Sequence, residues 1–123
     1  MPESGNPLLG IEIRALGGAL DREPAVPNAV PSRGIPYMVW GVGVGGPDQA
    51  GLLQGWLDRM VRTFAPWEYD GRRVANFLSK DQALTPEQMR LAYGPERYDR
   101  LAGIKRRFDP DNLFRMNHNI QPA

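Results

Sequence analysis

The placement of glycine and proline constrains the fold of this chain more than any other feature. The 123 residues include 14 glycines and 12 prolines, and sixteen of these lie between Met1 and Pro47. Proline lacks a backbone N–H donor and glycine disfavours helix, so this region is unsuited to long helices. Four of the prolines lie between residues 21 and 36, where they predict an extended loop. We therefore expect a loop-rich first part and a more helical remainder.

Two segments that flank this loop predict β-strands. In the first, Ile11 and Ile13 alternate with Glu12 and Arg14, which is the pattern of a half-buried strand with its isoleucines on the covered face. The second, Tyr37–Val44, is rich in β-branched and aromatic residues and is followed by glycines. We expect the two strands to pair in antiparallel orientation.

Three helices are predicted after the strands. Apolar residues at three-to-four spacing between residues 52 and 64 indicate an amphipathic helix. Thr85 and Gln88 have the spacing of a capping box and predict the start of a short helix that ends at Gly94. Pro95 suits the first position of a third helix, whose basic last turn complements the helix dipole. On its buried side we expect Tyr98, Leu101, Ile104, Lys105 and Phe108.

The tail after the third helix contains enough apolar residues to pack against the rest of the chain. These residues are Leu113, Phe114, Met116 and Ile120. The predicted fold class is α+β, with a small antiparallel sheet packed with about three helices. We expect a flexible start over residues 1–9, a sheet and helix over residues 10–84, and a C-terminal segment over residues 85–123.

Composition excludes several classes of protein and site. The net charge of +1 is far from the strongly basic balance of a nucleic-acid-binding domain. The absence of cysteine removes disulfides and thiolate metal sites, and a single histidine leaves little material for zinc, so we expect no metal. No apolar run approaches the length of a membrane span and the start does not resemble a signal peptide, so we expect a cytoplasmic protein.

The segment Gly41–Gly46 formally satisfies the G-x-G-x-x-G pattern of a dinucleotide-binding turn. It follows a predicted strand and precedes a predicted helix, as that function requires. However, no second buried strand follows the helix, and Asp48 places a negative charge where a pyrophosphate would bind. The favoured interpretation is a glycine-rich strand end that permits close approach of other groups.

The last third of the chain carries a more specific pattern. Tyr93–Pro122 contains a Tyr-Gly pair, a Leu-x-x-Ile-Lys helix, an Asp-Pro-x-Asn-x-Phe turn and a closing Asn-His-Asn-Ile-Gln-Pro. This segment strongly resembles the C-terminal segment of berberine bridge enzyme-like FAD-linked oxidases. Weaker similarity extends upstream, where Val74–Phe77 resembles the family's Tyr-x-Asn-Phe and Gly17–Ala19 followed by Arg22 resembles its Gly-Gly-Ala-x-x-Arg.

The resemblance implies an oxidoreductase whose cofactor is FAD and whose substrate is a small molecule. In this family a large domain binds FAD, and a second α+β domain covers the flavin on the substrate side. This chain resembles only the distal part of that second domain and the closing tail, so its implied partner is an FAD-binding domain or subunit. Asn76, Asn117 and His118 would face the flavin. Gly18, Arg33 and Val74 would border the substrate.

Two departures from the family pattern bear on the chemistry. One is His118, which replaces the family's closing glutamine, and the other is Val74. The tyrosine of Tyr-x-Asn often serves as, or helps, the catalytic base, and Val74 occupies its position here. The resemblance therefore leaves Tyr69 and His118 as candidate catalytic residues. A histidine side chain changes its charge near neutral pH and suits such a role, although a lone hydrogen-bonded structural histidine is the favoured interpretation from the residues alone.

Two functions follow from different interpretations of these patterns. The first is the C-terminal, substrate-side portion of an FAD-dependent oxidoreductase that oxidises an alcohol, a sugar or a secondary metabolite, inactive without its FAD-binding domain. The second is a small α+β binding or scaffolding domain that has lost the chemistry. Under the first interpretation we expect self-association, because strands that normally continue into a larger sheet have unpaired edges.

Overall fold

The structure is a computed structural model that describes residues 8–123. Most of the flexible start expected for residues 1–9 lies outside this range. The regular elements are β1 (Leu8–Ala15), β2 (Tyr37–Gly43), α1 (Ala50–Phe64), α2 (Pro86–Tyr93) and α3 (Pro95–Phe108), joined by loops and short 3-10 turns. The expected α+β class, with a small antiparallel sheet and three helices, is confirmed. None of the described helices is long and apolar enough to cross a membrane.

The chain forms two compact units. The first, called the sheet unit, comprises residues 8–17 of the described chain together with Pro36–Tyr69. The second, called the helical unit, comprises Gly18–Ile35 and Asp70–Ala123. The loop between the two strands therefore belongs to the helical unit.

The sheet unit is built on one antiparallel strand pair. Ile11 of β1 lies opposite Gly41 of β2. Beyond the strands, the backbone N–H of Leu16 donates to the carbonyl of Pro36 at 2.9 Å and extends the pairing. The antiparallel pairing expected from the sequence is confirmed, and β1 begins at Leu8, somewhat earlier than the alternation indicates.

The isoleucine face of β1 is not covered as expected. Ile11 and Ile13 are 51% and 62% exposed. Because Ile11 is paired with Gly41, the two lie on the same face of the sheet. Helix α1 approaches that face at Gly41, where a Cβ atom would lie 2.5 Å from the Sδ atom of Met60. The prediction that this face is covered is wrong, because α1 covers it at β2 and leaves the isoleucines of β1 more than half exposed.

The glycine-rich segment after β2 contacts the chain that follows it. The N–H of Gly46 donates to the side-chain oxygen of Gln49 at 3.2 Å, and a Cβ atom on Gly45 would lie 2.5 Å from that oxygen. Pro47 begins a 3-10 turn, and α1 follows it. In the described part of the chain the sheet has two antiparallel strands, whereas a dinucleotide-binding turn requires a parallel βαβ unit. These contacts favour the close-approach interpretation of the glycines.

Helix α2 begins and ends, and helix α3 begins, where the sequence predicts. The hydroxyl oxygen of Thr85 accepts from the N–H of Gln88 at 3.3 Å, and the side chain of Gln88 accepts from the N–H of Thr85 at 3.1 Å. Gly94 has a φ of 80° and separates the two helices. This left-handed backbone favours glycine, so the chain can end α2 and start α3 at Pro95 without an intervening loop.

The core of the helical unit lies between α2 and α3. Its buried residues are Met89, Tyr98 and Ala102, and the partly buried residues packed against them are Leu78, Ala83, Tyr93 and Ile120. Met89 is the most enclosed, at 1% exposure. The core therefore joins the two helices to the turn that precedes them and to the end of the tail.

The expected packing of the end of α3 and of the first half of the tail is wrong. Phe108 and Phe114 are exposed, as are Ile104, Leu113 and Met116. Helix α2 has 8 residues and α3 has 14, and the buried residues of α3 are Tyr98 and Ala102 in its first two-thirds. The shorter helix leaves the last turn of α3 without a covering element in the described part of its unit.

Candidate functional site

The end of α3 is fixed by a group of hydrogen bonds around Asp109. Its carboxylate accepts from the N–H groups of Leu113 at 2.7 Å and Phe114 at 3.0 Å. It also pairs with the ammonium group of Lys105, which donates in addition to the carbonyl of Phe114 at 2.6 Å. Asn112 has a φ of 51°, a left-handed conformation that asparagine tolerates, and it turns the chain. We call this arrangement the Asp109 clamp.

The Asp109 clamp explains part of the C-terminal sequence pattern in physical terms. The aspartate of Asp-Pro-x-Asn-x-Phe and the lysine of Leu-x-x-Ile-Lys are its two charged members. The hydrogen bond from Lys105 is the main cause that lowers the pKa of Asp109, and the N–H groups of Leu113 and Phe114 lower that pKa further. These motif residues fix where the tail leaves α3.

The tail carries two of the candidate residues, Asn117 and His118. Asn117 is exposed, with a φ of 58°, and its carbonyl accepts from the N–H of Asn119 at 2.9 Å. His118 is half-buried, and its Nε2 atom lies 3.2 Å from the carbonyl oxygen of Leu78. Further along, Ile120 packs against the core. The tail therefore contacts the rest of the helical unit at His118 and at Ile120.

The candidate residues Val74 and Asn76 lie in and next to a 3-10 turn, Ala75–Phe77. The carbonyl of Val74 accepts from the N–H of Phe77 at 2.9 Å, which closes the turn. Val74 is half-buried and Asn76 is exposed. Leu78, which contacts His118, follows the turn directly, so the turn and the tail are joined at this point.

The loop Gly18–Ile35 carries the candidates Gly18 and Arg33. Gly18 has a φ of 65°, where a side chain would be strained. The guanidinium group of Arg33 donates to the carbonyls of Leu20 at 2.8 Å and Arg22 at 2.7 Å. The side chain of Arg33 is thus directed to the backbone of its own loop, and these contacts give it a role in holding the loop's shape.

Arg72 connects this loop to the rest of the helical unit. Its Nη1 atom donates to the carbonyls of Pro31 at 2.8 Å and Arg33 at 3.0 Å. Its Nε atom donates to the carboxylate of Asp70 at 2.7 Å, and this hydrogen bond is the main cause that lowers the pKa of Asp70. Arg72 therefore ties the loop to the segment that leads into Val74.

The structure brings most of the candidate residues into one unit. The helical unit contains Gly18, Arg33, Val74, Asn76, Asn117 and His118. Tyr69, the other candidate base, is the last residue of the sheet unit and is exposed. The hydrogen bond of His118 to Leu78 and the two from Arg72 to the loop join candidate segments to one another.

Sequence reasoning missed the residues that organise these segments. No motif of the sequence assigns a role to Arg72, and Lys105 is marked as a motif residue and a helix-dipole partner but not as the partner of Asp109. The charges of Asp70 and Arg72, two residues apart, could have indicated an ion pair. Nothing in the sequence indicates that the same arginine also reaches carbonyl groups of a loop about forty residues earlier.

Comparison with known proteins finds a family match within the helical unit. Residues 75–121 match the family model for berberine and berberine-like proteins, and they lie entirely within this unit. The expected resemblance to berberine bridge enzyme-like proteins is therefore confirmed, and residues 75–121 form a berberine-like segment.

One relative of this chain is the (R)-6-hydroxynicotine oxidase of Paenarthrobacter nicotinovorans. It is 47% identical over 45 residues, which make up 37% of this chain and 10% of that protein. The matched stretch thus spans about a tenth of the relative's length.

Proposed function

We propose that this chain acts as the C-terminal, substrate-side portion of an FAD-dependent oxidoreductase that oxidises an alcohol, a sugar or a secondary metabolite. The observation that carries the proposal is the 47% identity of 45 residues to an oxidase, together with the berberine-like segment at residues 75–121. In this proposal the chain is inactive by itself, because the matched stretch is a small part of that oxidase.

The exposed amides of Asn76 and Asn117 fit part of an FAD molecule. An amide side chain both donates and accepts hydrogen bonds, which matches the carbonyl and N–H groups at the polar edge of a flavin ring. When bound, FAD supplies the hydride chemistry, and the protein supplies binding, orientation and a base. The pyrophosphate and adenine require further donors, so the proposal includes an FAD-binding domain or subunit as partner.

The proposal assigns the base to His118 before Tyr69. Valine cannot accept a proton, so Val74 leaves the family's usual position for this role unfilled. His118 is held beside the turn that contains Asn76 through its contact with Leu78. Tyr69 belongs to the sheet unit and is the second choice.

The same proposal assigns the substrate side to the loop Gly18–Ile35 and to Val74. Gly18 and Val74 would border the substrate with backbone and apolar surface. Arg33 would act by shaping the loop, since its guanidinium group donates to loop carbonyls. Arg72 would hold this loop next to the segment that contains Val74.

A chimera tests the proposal directly. In the (R)-6-hydroxynicotine oxidase, the stretch that aligns with residues 74–121 of this chain would be replaced by those residues, so that Val74 is included. The purified chimera would be assayed for bound FAD and for flavin reduction by (R)-6-hydroxynicotine. We expect a yellow protein whose flavin the substrate reduces. The unmodified oxidase and a truncated oxidase without the stretch are the controls.

The assay separates the two functions considered for this chain. A folded chimera that retains FAD and oxidises the substrate supports the oxidoreductase. A folded chimera that has lost FAD, like the truncated oxidase, contradicts it and favours a binding or scaffolding domain. A His118→Ala chimera that keeps FAD and an unchanged rate of flavin reduction contradicts only the assignment of the base.

A further inference from the structure

His118 lies in a short segment that is held on both sides. Upstream, the Asp109 clamp fixes Phe114 through its N–H and carbonyl groups. Downstream, Ile120 packs against the core, and the N–H of Ala123 donates to the carbonyl of Ala102 at 3.3 Å. Because the chain is fixed at Phe114 before His118 and at Ile120 after it, the position of the imidazole relative to the rest of the helical unit is restricted.

The contact with Leu78 determines which ring nitrogen of His118 carries hydrogen. The Nε2 atom is 3.2 Å from the carbonyl oxygen of Leu78. A carbonyl oxygen can only accept a hydrogen bond, so Nε2 must be the donor. A neutral imidazole has one N–H group, and the other nitrogen then carries a lone pair. In the neutral ring this other nitrogen is Nδ1.

We propose that the carbonyl of Leu78 selects the Nε2–H tautomer of His118. This tautomer makes Nδ1 the atom that accepts a proton or a hydrogen bond from a hydroxyl or amine of the ligand. The role toward a ligand rests on the proposed function, whereas the tautomer rests on the contact with Leu78. In the proton transfer, the substrate's O–H or N–H bond breaks, its electron pair stays on the oxygen or nitrogen, and the proton binds to Nδ1. The positive charge is then on the imidazolium, which still donates to Leu78.

This arrangement differs in a testable way from that of a structural histidine. A structural role needs only the donor at Nε2, which the amide of a glutamine can replace. The proposed role also needs the lone pair at Nδ1, which a glutamine does not supply at that place. His118→Gln therefore keeps the contact with Leu78 and removes the acceptor, whereas His118→Ala removes both.

The tautomer can be measured on the full chain by nitrogen-15 NMR. His118 is the single histidine, so a tag-free protein gives one pair of imidazole nitrogen signals that needs no mutant for assignment. At a pH where the ring is neutral, we expect Nε2 to carry the proton and Nδ1 to have the signal of a nitrogen with a lone pair. The opposite assignment, or two averaged signals, overturns the proposed tautomer.

The acceptor role is tested with the same substitutions in the chimera. His118→Gln should retain FAD while flavin reduction slows by about 10²- to 10⁴-fold, the usual contribution of a positioned acid–base group. Flavin reduction at the unsubstituted rate overturns the role of Nδ1. In the isolated chain, His118→Ala should speed tail amide exchange about three- to tenfold, as expected for loss of one ordinary hydrogen bond, and His118→Gln should not. If the unsubstituted chimera fails to retain FAD, the proposed function fails, and the NMR result still decides the tautomer.

Discussion

Replacing Arg72 by alanine tests how the loop Gly18–Ile35 is held in the helical unit. The Nη1 atom of Arg72 donates to the carbonyls of Pro31 and Arg33, and the arginine side chain is 15% exposed. Arg72→Ala removes these donors and leaves both carbonyls without them. We expect the loop to separate from the rest of the helical unit more often, while the core around Met89 stays folded.

The magnitude follows from the two hydrogen bonds. A hydrogen bond with a charged partner contributes about 1.5–3 kcal/mol to stability. The two bonds share one nitrogen and the side chain is partly solvated, so we assign about 2–3 kcal/mol to the pair together. Because each 1.4 kcal/mol is tenfold, the open fraction of the loop should rise about 30- to 150-fold.

Limited proteolysis measures this fraction. Trypsin cleaves after Arg22, whose carbonyl is held by Arg33 at 2.7 Å in the closed loop. When opening is fast relative to cleavage, the rate of cutting follows the population of the open loop. The matched control is Arg100→Ala, which removes the same charge from an exposed position on α3. Equal cleavage rates after Arg22 in the two variants would refute the role given to Arg72.

Three further predictions concern the helical unit. Met89→Ala should lower the free energy of unfolding, measured in urea, by about 2–5 kcal/mol, because the side chain is fully buried. A loss below about 1 kcal/mol contradicts a core centred on Met89. Gly71→Ala should lower the free energy of unfolding by about 1–3 kcal/mol, because the φ of Gly71 is +82° and a Cβ atom would lie 2.9 Å from Leu91. The control Gly103→Ala, at an exposed position of α3, should raise it slightly. The pKa of Asp109 is lowered in the folded state, so its carboxylate holds the tail fully above the ordinary aspartate pKa of about 3.9, and this hold is lost as pH falls through the folded pKa. Amide exchange of the tail measured against pH checks this, and a loss of tail protection near neutral pH contradicts it.

The sequence was sufficient for the features that depend on neighbouring residues. The capping box of Thr85 and Gln88 and the glycine at position 94 predicted the bounds of α2 and the start of α3, because caps involve groups three or four residues apart. The antiparallel pairing of the strands followed from their alternation and composition. The resemblance over the C-terminal third rested on the residues of its motifs, and residues 75–121 match the same family.

Only the tertiary structure decided which faces are covered and what the charged side chains contact. Alternation indicated that Ile11 and Ile13 share a face, but whether that face is buried depends on where α1 packs. Likewise, the apolar residues of the tail gave no sign that Phe114 is held by its backbone at Asp109 and leaves its ring in solvent. Periodicity reports only the side of an element on which a residue lies, whereas burial depends on the partner that reaches that side.

The candidate site shows the same division. Residue types and motif positions could single out Arg33 and His118, but not the atoms that they bind. Arg33 donates to carbonyls of its own loop, and Arg72 reaches that loop from about forty residues away. The ring of His118 is oriented by the carbonyl of Leu78, a backbone group that every residue type possesses. A backbone acceptor leaves no mark in the amino-acid sequence, so the tautomer and the loop contacts depend on the folded chain alone.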